Sequence, residues 1–305
     1  MLVDALIFFT SLCVLLVGSF LSVKSGQSAA SRLGMSTVVI GVTVLSIGTS
    51  LPEISTSITS FVGDSGGVGL GNILGSELVQ ITLILGVVGF LSVLQGVRRD
   101  IFFYGLWMTF GVLVASLFVF DGVLSFGEGV VLCLLYVFFV VVVVRRDKEL
   151  VTSVEKDMLP WWKIWVYGLL GIGGVIGGSV FLLESTLRLS SMLGVPSYLV
   201  SFFIVGLGTS LPELFVSGVA AWKEDSGMSV GNLLGSNVTD PLFSLGIGSV
   251  VAGTSSIANV SITSLAYTVF VFMVVLGLFY WRRKVGKRES VVLFVLYSVT
   301  FYVLL

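Results

Sequence analysis

The sequence predicts an all-α polytopic membrane protein with ten transmembrane helices, arranged as two inverted-topology repeats of five helices each. Three observations predict this class: the apolar composition, an internal repeat, and the segregation of positive charge. Of the 305 residues, 56% are hydrophobic and only 11% are charged, and the mean hydropathy is +1.10. Soluble domains do not have this composition, so we expect most of the chain to lie in a bilayer.

The composition also excludes several kinds of site. The chain contains no histidine, which excludes a histidine proton relay or an imidazole metal site. A net charge of −1 without a basic tail gives no indication of nucleic-acid binding. The two cysteines, Cys13 and Cys133, fall in apolar segments, and we expect them to be small buried hydrophobic residues.

Two sequence motifs each occur twice at an offset of 160 residues. The first motif, G-T-S-L-P-E, covers residues 48–53 and recurs at 208–213. The second, G-N-x-x-G-S, covers residues 71–76 and recurs at 231–236 in the same register. Two matched motifs in one register are strong support for an internal repeat.

Ten apolar segments follow one another along the chain, each close to the ~20 residues that cross a bilayer. They cover residues 2–23, 36–61, 68–93, 101–120, 124–144, 164–186, 197–221, 228–252, 261–281 and 289–305. We expect one membrane domain, 1–305, with repeat 1 at 1–145, a connecting loop at 146–163 and repeat 2 at 164–305. Each motif pair then lies in the second and third segments of its repeat.

The cations give an orientation for these segments. Of the 16 lysines and arginines, only Arg188 falls outside the loops that ten spans place on one side of the membrane. Because positive loops stay in the cytoplasm, we expect the 146–163 loop there and both termini outside the cell. Each repeat has an odd number of spans, so the second must enter the membrane in the opposite direction. Transporters with such inverted repeats bind substrate near the membrane midplane, on interrupted helices.

The first motif places hard oxygen ligands at membrane depth. Glu53 and Glu213 are carboxylates inside apolar spans, where an ionisable residue usually marks a functional site. The proline one residue before each glutamate has no N–H and interrupts helical hydrogen bonding. The freed carbonyls, neighbouring hydroxyls and carboxylates suit Na⁺ or Ca²⁺ rather than soft metals.

The second motif adds a polar face to the following span. Asn72, Ser76 and Gln80 recur at intervals of four residues, as their counterparts Asn232, Ser236 and Asp240 do. Asp240 is a third carboxylate at membrane depth. Glu77, next to Ser76, faces either this site or a side cavity. We expect the remaining acids at span ends to be solvated by headgroups: these are Asp4, Asp64, Asp121, Glu128 and Glu184.

At these motifs the chain resembles the calcium/cation antiporter superfamily, and among its members the prokaryotic sodium/calcium exchangers. The resemblance covers nearly the whole chain and implies two inverted five-helix halves. It implies that Glu53 and Glu213 chelate Ca²⁺ with the Thr49 and Thr209 carbonyls. It further implies Na⁺ sites and a central site whose ligands are Ser50, Ser76, Ser210, Ser236, Gln80, Asp240 and the carbonyls of Ser46 and Gly206. Gln80 and Glu77 depart from the usual family residues, which bears on ion selectivity.

The resemblance implies a plasma-membrane antiporter, not an enzyme, that exchanges Na⁺ for Ca²⁺ by alternating access and normally extrudes Ca²⁺. The two ions are transported substrates, the lipid bilayer is the surrounding partner, and no organic cofactor, nucleic acid or obligatory protein partner is expected. A proton- or potassium-linked Ca²⁺ exchanger is the alternative within the superfamily. A cation channel is a more distant alternative, and an intramembrane aspartyl protease lacks a second mid-membrane aspartate.

Overall fold

The computed structural model describes residues 2–32, 39–92, 94–95, 98–146, 159–222, 226–257, 261–282 and 284–304. Within this part, the chain forms ten helical rods. The rods are α1 (Leu2–Arg32), α2 (residues 40–62), α3 (Gly66–Leu91), α4 (Arg98–Phe118), α5 (Phe126–Arg146), α6 (Trp161–Leu193), α7 (Ser197–Trp222), α8 (residues 226–252), α9 (Ile262–Arg282) and α10 (Lys287–Leu304).

Six of the described helices are long and apolar enough to cross a membrane: α1 over Leu2–Gly26, and α3, α5, α6, α7 and α9. The membrane class and the predominance of helix are therefore confirmed, while the count of ten spans stays a prediction. The rods that carry the motifs are interrupted: α2 breaks into Ile40–Leu45, Ser46–Thr49 and Leu51–Val62, and α8 into Ser226–Thr239, Asp240–Ser244 and Leu245–Ala252.

The rods that carry the motifs form the centre of the bundle. Most of α3 is buried inside the protein, whereas only a quarter of the most apolar stretch of α1 is. The amino-terminal part of α8 packs on the first piece of α2, and α3 packs on the corresponding part of α7. On the outside, α1 and α6 pack along their length, α4 contacts α9, and α10 contacts α3.

Two short antiparallel strand pairs join the ends of the bundle. Strand β1 (Leu94–Gln95) pairs with β4 (Lys284–Val285), and β2 (Val123–Ser125) pairs with β3 (Thr254–Ser256). The two pairings are related by the 160-residue repeat. Leu94 pairs with Val285, and their counterparts in the other half, Thr254 and Ser125, pair with each other. Adding 160 to the first member and subtracting 160 from the second converts one pair into the other.

The structure corrects several details of the sequence interpretation. The first and sixth segments, expected at 2–23 and 164–186, belong to longer helices that span Leu2–Arg32 and Trp161–Leu193. Their extra turns contain polar and charged residues, which interrupt the apolar runs. Cys13, expected to be buried, is exposed on the outer face of α1, and Cys133 is half-buried. Most of the predicted 146–163 loop lies outside the described residues.

Candidate ion-binding site

Both G-T-S-L-P-E motifs interrupt their helices at the serine. Ser50 has φ −78° and ψ 4°, and Ser210 has φ −84° and ψ 2°, so each residue leaves the helical region before a new helix begins. The proline occupies the first turn of that new helix, where its missing N–H costs no hydrogen bond. The motif therefore ends one helix and begins another, and places Glu53 and Glu213 in the first turn of the second helix.

Four π-helical segments lie beside these interruptions, and the sequence interpretation did not include them. They cover Ile40–Leu45, Val79–Ile84, Ser201–Val205 and Asp240–Ser244, in corresponding places of the two halves. Within the first, the Thr43 hydroxyl donates to the Val39 carbonyl at 2.6 Å, so a side chain adds to the backbone hydrogen bonding of the wider turn. Pro241, which lacks an N–H, was the one local signal for such a segment. Single π turns inside α-helices occur frequently at functional sites.

Three buried carboxyl groups interact with one another at the centre of the bundle. Glu53, Glu213 and Asp240 are all fully buried, and each interacts electrostatically with the other two. One oxygen of Glu53 accepts a hydrogen bond from the Ser76 hydroxyl at 3.0 Å. Its second oxygen and both oxygens of Glu213 have no hydrogen-bond partner among the described residues. Buried oxygens in this state are costly unless a cation or water satisfies them.

Hydroxyl and amide groups surround the carboxyls in two equivalent clusters. In one cluster, the Thr49 hydroxyl donates to the Asn232 side-chain oxygen at 3.3 Å and lies 3.2 Å from the Ser236 hydroxyl. In the other cluster, the Thr209 hydroxyl donates to the Asn72 side-chain oxygen at 3.0 Å and lies 3.3 Å from the Ser76 hydroxyl. Each cluster thus combines a threonine of one half with the asparagine and serine of the other half.

The backbone carbonyls predicted as ligands also border this centre. The Ser46 carbonyl accepts the Ser50 amide at 2.9 Å, and the Gly206 carbonyl accepts the Ser210 amide at 3.3 Å. The Gly206 carbonyl also lies 3.4 Å from the Ser76 hydroxyl. A carbonyl oxygen has two lone pairs, so a helical hydrogen bond leaves one of them for a further donor or a cation. The hydroxyl oxygens of Ser50 and Ser210 are buried and have no hydrogen-bond partner in the described part of the chain.

A chain of side-chain hydrogen bonds fills the middle of the site. The Gln80 amide donates to one oxygen of Asp240 at 3.0 Å, and the Ser244 hydroxyl donates to the other at 3.3 Å. The side-chain oxygen of Gln80 accepts from the Asn237 amide at 3.0 Å. Sequence reasoning did not select Asn237 as a site residue. The signal was present, however, because Asn237 is the counterpart of Glu77 in the repeat.

Glu77 lies beside this centre, and its carboxyl interacts electrostatically with Asp240 and Glu53. Its side chain lines a small pocket between α3, α4 and α8, next to Ser116 and Pro241 and among apolar side chains. Both carboxyl oxygens are buried and lack a hydrogen-bond partner among the described residues. The sequence allowed Glu77 to face either the ion site or a side cavity, and its side chain lines the side cavity.

Most of the remaining acids lie where the sequence predicted them, at the ends of helices. Asp4 contacts Arg188 at 3.2 Å, and Glu184 contacts the same arginine at 3.5 Å. Glu128 accepts the backbone amide of Ser125 at 2.8 Å, which caps the start of α5. None of these acids belongs to the central group of carboxyls.

Acidic side chains alone do not form a tight metal cage in this geometry. Among the described residues, no three side chains of aspartate, glutamate, cysteine or histidine lie close enough together to hold one ion. The site consists instead of three separated carboxyls with hydroxyl, amide and carbonyl oxygens between them. Oxygen-rich sites of mixed ligand type are those that Ca²⁺ accepts.

The comparison with protein families gives the same assignment as the site. The family model described as sodium/calcium exchanger protein matches residues 3–145 and 163–305, which is nearly the whole chain in two stretches. The chain belongs to the sodium/calcium exchanger family. The two matched stretches correspond closely to the two halves of the bundle. This family consists of membrane transporters, with Na⁺ and Ca²⁺ as transported ions.

Individual members of the exchanger family align over the full length of the chain. An uncharacterised membrane protein of Methanocaldococcus jannaschii is 30% identical over 96% of this chain and 95% of its own. A sodium/calcium exchanger of Methanosarcina acetivorans is 27% identical over 99% of this chain and 98% of its own. The solved structure of the sodium-calcium exchanger NCX_Mj, soaked with Na⁺ and Ca²⁺, is 28% identical with a TM-score of 0.70, and the match covers 100% of this chain and 99% of that structure.

Proposed function

We propose that this exchanger is a secondary active antiporter that couples Na⁺ entry to Ca²⁺ extrusion by alternating access. The observation that carries the proposal is the burial of two interacting carboxyls, Glu53 and Glu213, at the centre of the bundle. Three of their four oxygens lack a hydrogen-bond partner among the described residues. Two like charges in a low-dielectric interior repel each other strongly. A divalent cation between them removes that repulsion and supplies the missing contacts.

The relation between the two halves supports an inverted repeat of ten spans. Several contacts between the halves occur twice, with the two halves exchanging roles. Thr49 contacts Asn232 and Thr209 contacts Asn72, and the two strand pairings are related in the same way. A parallel stacking of the halves does not produce such exchange, whereas a two-fold axis does. Five rods on each side of the 146–163 loop then require the halves to cross the membrane in opposite directions. A two-fold axis in the membrane plane gives two equivalent openings to the site, which is the geometric basis for alternating access.

The proposed roles of individual residues are those that the family resemblance implies, and their burial around the centre supports them. Glu53 and Glu213 chelate Ca²⁺ together with the carbonyls of Thr49 and Thr209. Their carboxyls are shared with flanking Na⁺ sites, so the two ions compete and occupy the centre alternately. The flanking Na⁺ sites and the centre use the ligands Ser50, Ser76, Ser210, Ser236, Gln80 and Asp240 with the carbonyls of Ser46 and Gly206.

Shared ligands make the transport an exchange rather than a leak. A site emptied of ions leaves clustered carboxylates in the membrane interior, and moving that charge through a closed state is unfavourable. The protein therefore changes its accessible side when it is loaded with Ca²⁺ or with Na⁺. A channel, by contrast, needs a continuous path through which ions pass without such a change.

The grouping of loops supports the proposed orientation. Strands β1 and β4 place residues 94–95 and 284–285, both in cation-rich loops, at one end of the bundle. Strands β2 and β3 place residues 123–125 and 254–256, from cation-poor loops, together elsewhere. By the positive-inside rule the first group faces the cytoplasm, and both termini are then extracellular in a plasma membrane.

Reconstituted vesicles test the coupling ion directly. With protonophore present at fixed pH, an outward Na⁺ gradient is expected to drive ⁴⁵Ca²⁺ into the vesicles. Uptake that requires a pH gradient and ignores Na⁺ would establish the proton-linked alternative, and uptake that requires K⁺ in addition would establish the potassium-linked one. Steady single-channel currents would contradict exchange altogether.

Matched substitutions test the site. Glu53→Gln and Glu213→Gln are each expected to abolish exchange, because a neutral amide cannot replace the charge that balances a dehydrated divalent ion. Asp64→Asn is the control: Asp64 is exposed and has φ 51°, a left-handed conformation that asparagine also tolerates. Normal Ca²⁺ exchange by a folded Glu53→Gln protein would refute the assignment of the centre.

A further inference from the structure

A cavity opens between α9 and α10 at the end of the bundle opposite their hydrogen-bonded contact. The two helices are joined where the Tyr267 hydroxyl donates to the Leu296 carbonyl at 2.6 Å. Towards the other end they leave between them a cavity of about 420 Å³. This volume lies within the range of about 300–1,000 Å³ that is usual for small-molecule sites.

The walls of this cavity are apolar, and its rim is cationic. Val274, Gly277, Leu278 and Val292 give it apolar walls, and the rest of its lining is Trp281, Arg288 and the ion pair of Arg282 with Glu289. No atom lies within 4 Å of the position that a Cβ on Gly277 would occupy, so the glycine leaves the wall open. An indole at the end of an apolar helix is typical of the membrane–water boundary.

The charge at the rim is not balanced within the protein. The Arg282 guanidinium donates to Glu289 at 2.8 Å, and the second oxygen of Glu289 accepts the Gly286 amide at 3.1 Å. Glu289 is therefore fully used by these partners. Within the described part of the chain, no carboxylate pairs with Arg288, which is exposed. The sequence around it carries five cations between residues 282 and 288.

We propose that this cavity, which we call the α9–α10 groove, binds one anionic phospholipid. The acyl chain lies along Val274, Gly277 and Val292, and the headgroup phosphate contacts Arg288 beside Trp281. A groove that is apolar along its length and cationic at the membrane boundary complements both parts of such a lipid. Clusters of four to eight cations next to a membrane helix, and basic pockets between helices, favour anionic lipids in the same way. The ion site is elsewhere in the bundle, so this proposal does not rest on the proposed function.

Lipid retention by the purified full-length chain tests the proposal. The protein in detergent is mixed with equal amounts of dioleoylphosphatidylglycerol and dioleoylphosphatidylcholine, and the bound lipid is counted by native mass spectrometry. The two lipids have identical acyl chains, so a difference in binding reports the headgroup. We expect one bound phosphatidylglycerol, retained at least tenfold better than phosphatidylcholine. Equal retention of the two lipids would refute a specific site.

Paired variants distinguish lipid binding in the groove from general electrostatic attraction of the lipid to the cationic surface. Gly277→Leu fills the groove and is expected to reduce phosphatidylglycerol binding at least tenfold. Gly173→Leu, at a glycine of α6 that also has open space around it, is expected to have no effect. Arg288→Gln is expected to weaken binding about fivefold, the typical effect of one cation at a membrane surface. Lys284→Gln, an exposed cation of the same cluster outside the groove, is expected to change binding less than twofold.

Several outcomes would overturn the proposal. Wild-type binding by Gly277→Leu would place the lipid elsewhere, and equal losses in Arg288→Gln and Lys284→Gln would indicate attraction to the whole cationic surface. Displacement of the lipid by soluble glycerol phosphate would show that the acyl chain contributes nothing. A change of oligomeric state in Gly277→Leu would make the groove a contact between copies of the chain. If Gly277→Leu fails to fold, the headgroup comparison and the two charge variants still decide.

Discussion

Substituting alanine for Gly75 or Gly235 tests the helix crossings that bring the two halves together. Gly235 on α8 crosses α2 so closely that a Cβ there would lie 2.9 Å from both the Cα and the carbonyl oxygen of Val42. At the equivalent crossing, a Cβ on Gly75 of α3 would clash with the carbonyl oxygen of Phe202 on α7. Because the obstacles are backbone atoms, rotation of a side chain cannot relieve either clash.

The size of the effect follows from the geometry. Ordinary Cβ contacts begin at 3.4 Å, so α8 must move by about 0.5 Å to accept Gly235→Ala. Overpacking of this kind costs about 1–3 kcal/mol. Alanine in a helix is favoured over glycine by about 1 kcal/mol, and Gly173→Ala, where space is open, isolates that gain. We therefore expect both crossing variants to be less stable than the Gly173→Ala control by about 1–3 kcal/mol.

Thermal unfolding in detergent measures the loss of stability, and ⁴⁵Ca²⁺ exchange in vesicles measures the effect on transport. For chains of 150–250 residues, 1 kcal/mol shifts the melting temperature by about 2–4 °C. We expect a fall of this order or larger relative to the control. Exchange is expected to fall as well, since the Thr49 and Ser236 hydroxyls are only 3.2 Å apart across the displaced contact. Variants as stable and active as Gly173→Ala would refute the close crossing of the halves.

Three further predictions concern the site and the topology. Glu77→Gln is expected to keep vesicle exchange within about twofold of the unsubstituted protein, the change that 0.5 kcal/mol produces, because the carboxyl faces the side pocket; loss of exchange would make it part of the ion path. Gln80→Leu leaves Asp240 and Asn237 without their amide partner, and thermal unfolding is expected to show a loss of about 2 kcal/mol or more; an unchanged melting temperature would contradict the hydrogen-bonded chain. Cysteines at Ser153 and Ser256, in a protein lacking its native cysteines, are expected to react with impermeant reagents from opposite faces of the membrane, and labelling from one face would overturn the inverted repeat.

The choice of Ser256 shows what the structure adds to a topology experiment. The sequence alone favours Ser255 as the labelling position, because it lies in a short polar connection. The structure buries Ser255 within the β2–β3 pairing and leaves its neighbour Ser256 exposed. Ser153, the cytoplasmic partner in the experiment, lies outside the described residues. Periodicity identifies the connection between two helices but not which of its side chains reaches water.

The positions of the helices could be predicted because a membrane requires long apolar runs, and the chain has little else. The sequence could not predict the extra turns of α1 and α6 or the π-helical segments. A π turn depends on which donor each carbonyl finds, including side-chain donors such as the Thr43 hydroxyl. That choice depends on local competition between hydrogen bonds rather than on hydropathy. Wider turns in all four motif helices change the register of the residues that follow them.

The sequence identified the candidate residues because they recur in both repeats. It did not identify their hydrogen-bond partners. Nothing in the spacing of Thr49 indicates that it contacts Asn232 rather than Asn72 of its own half. The exchanged contact requires the two halves to be related by a two-fold axis. Once that axis is proposed from the odd number of spans in each repeat, the pairing of each threonine with the other half follows. The pairing of Gln80 with Asn237 does not, because these positions differ between the repeats.

One difference between the repeats lies where the proposed two-fold axis passes. Gln80 and Asp240 are counterparts at the 160-residue offset, and they are hydrogen-bonded to each other at 3.0 Å. Two counterparts in contact must lie on or next to the axis. If both were aspartates, two carboxylates would stand within hydrogen-bond distance, and if both were glutamines, the middle of the site would lose its charge. A glutamine paired with an aspartate keeps one carboxylate and supplies a donor to it. Glu53 and Glu213 stay identical in the same region, where the proposed Ca²⁺ would lie between the two carboxylates and offset their repulsion.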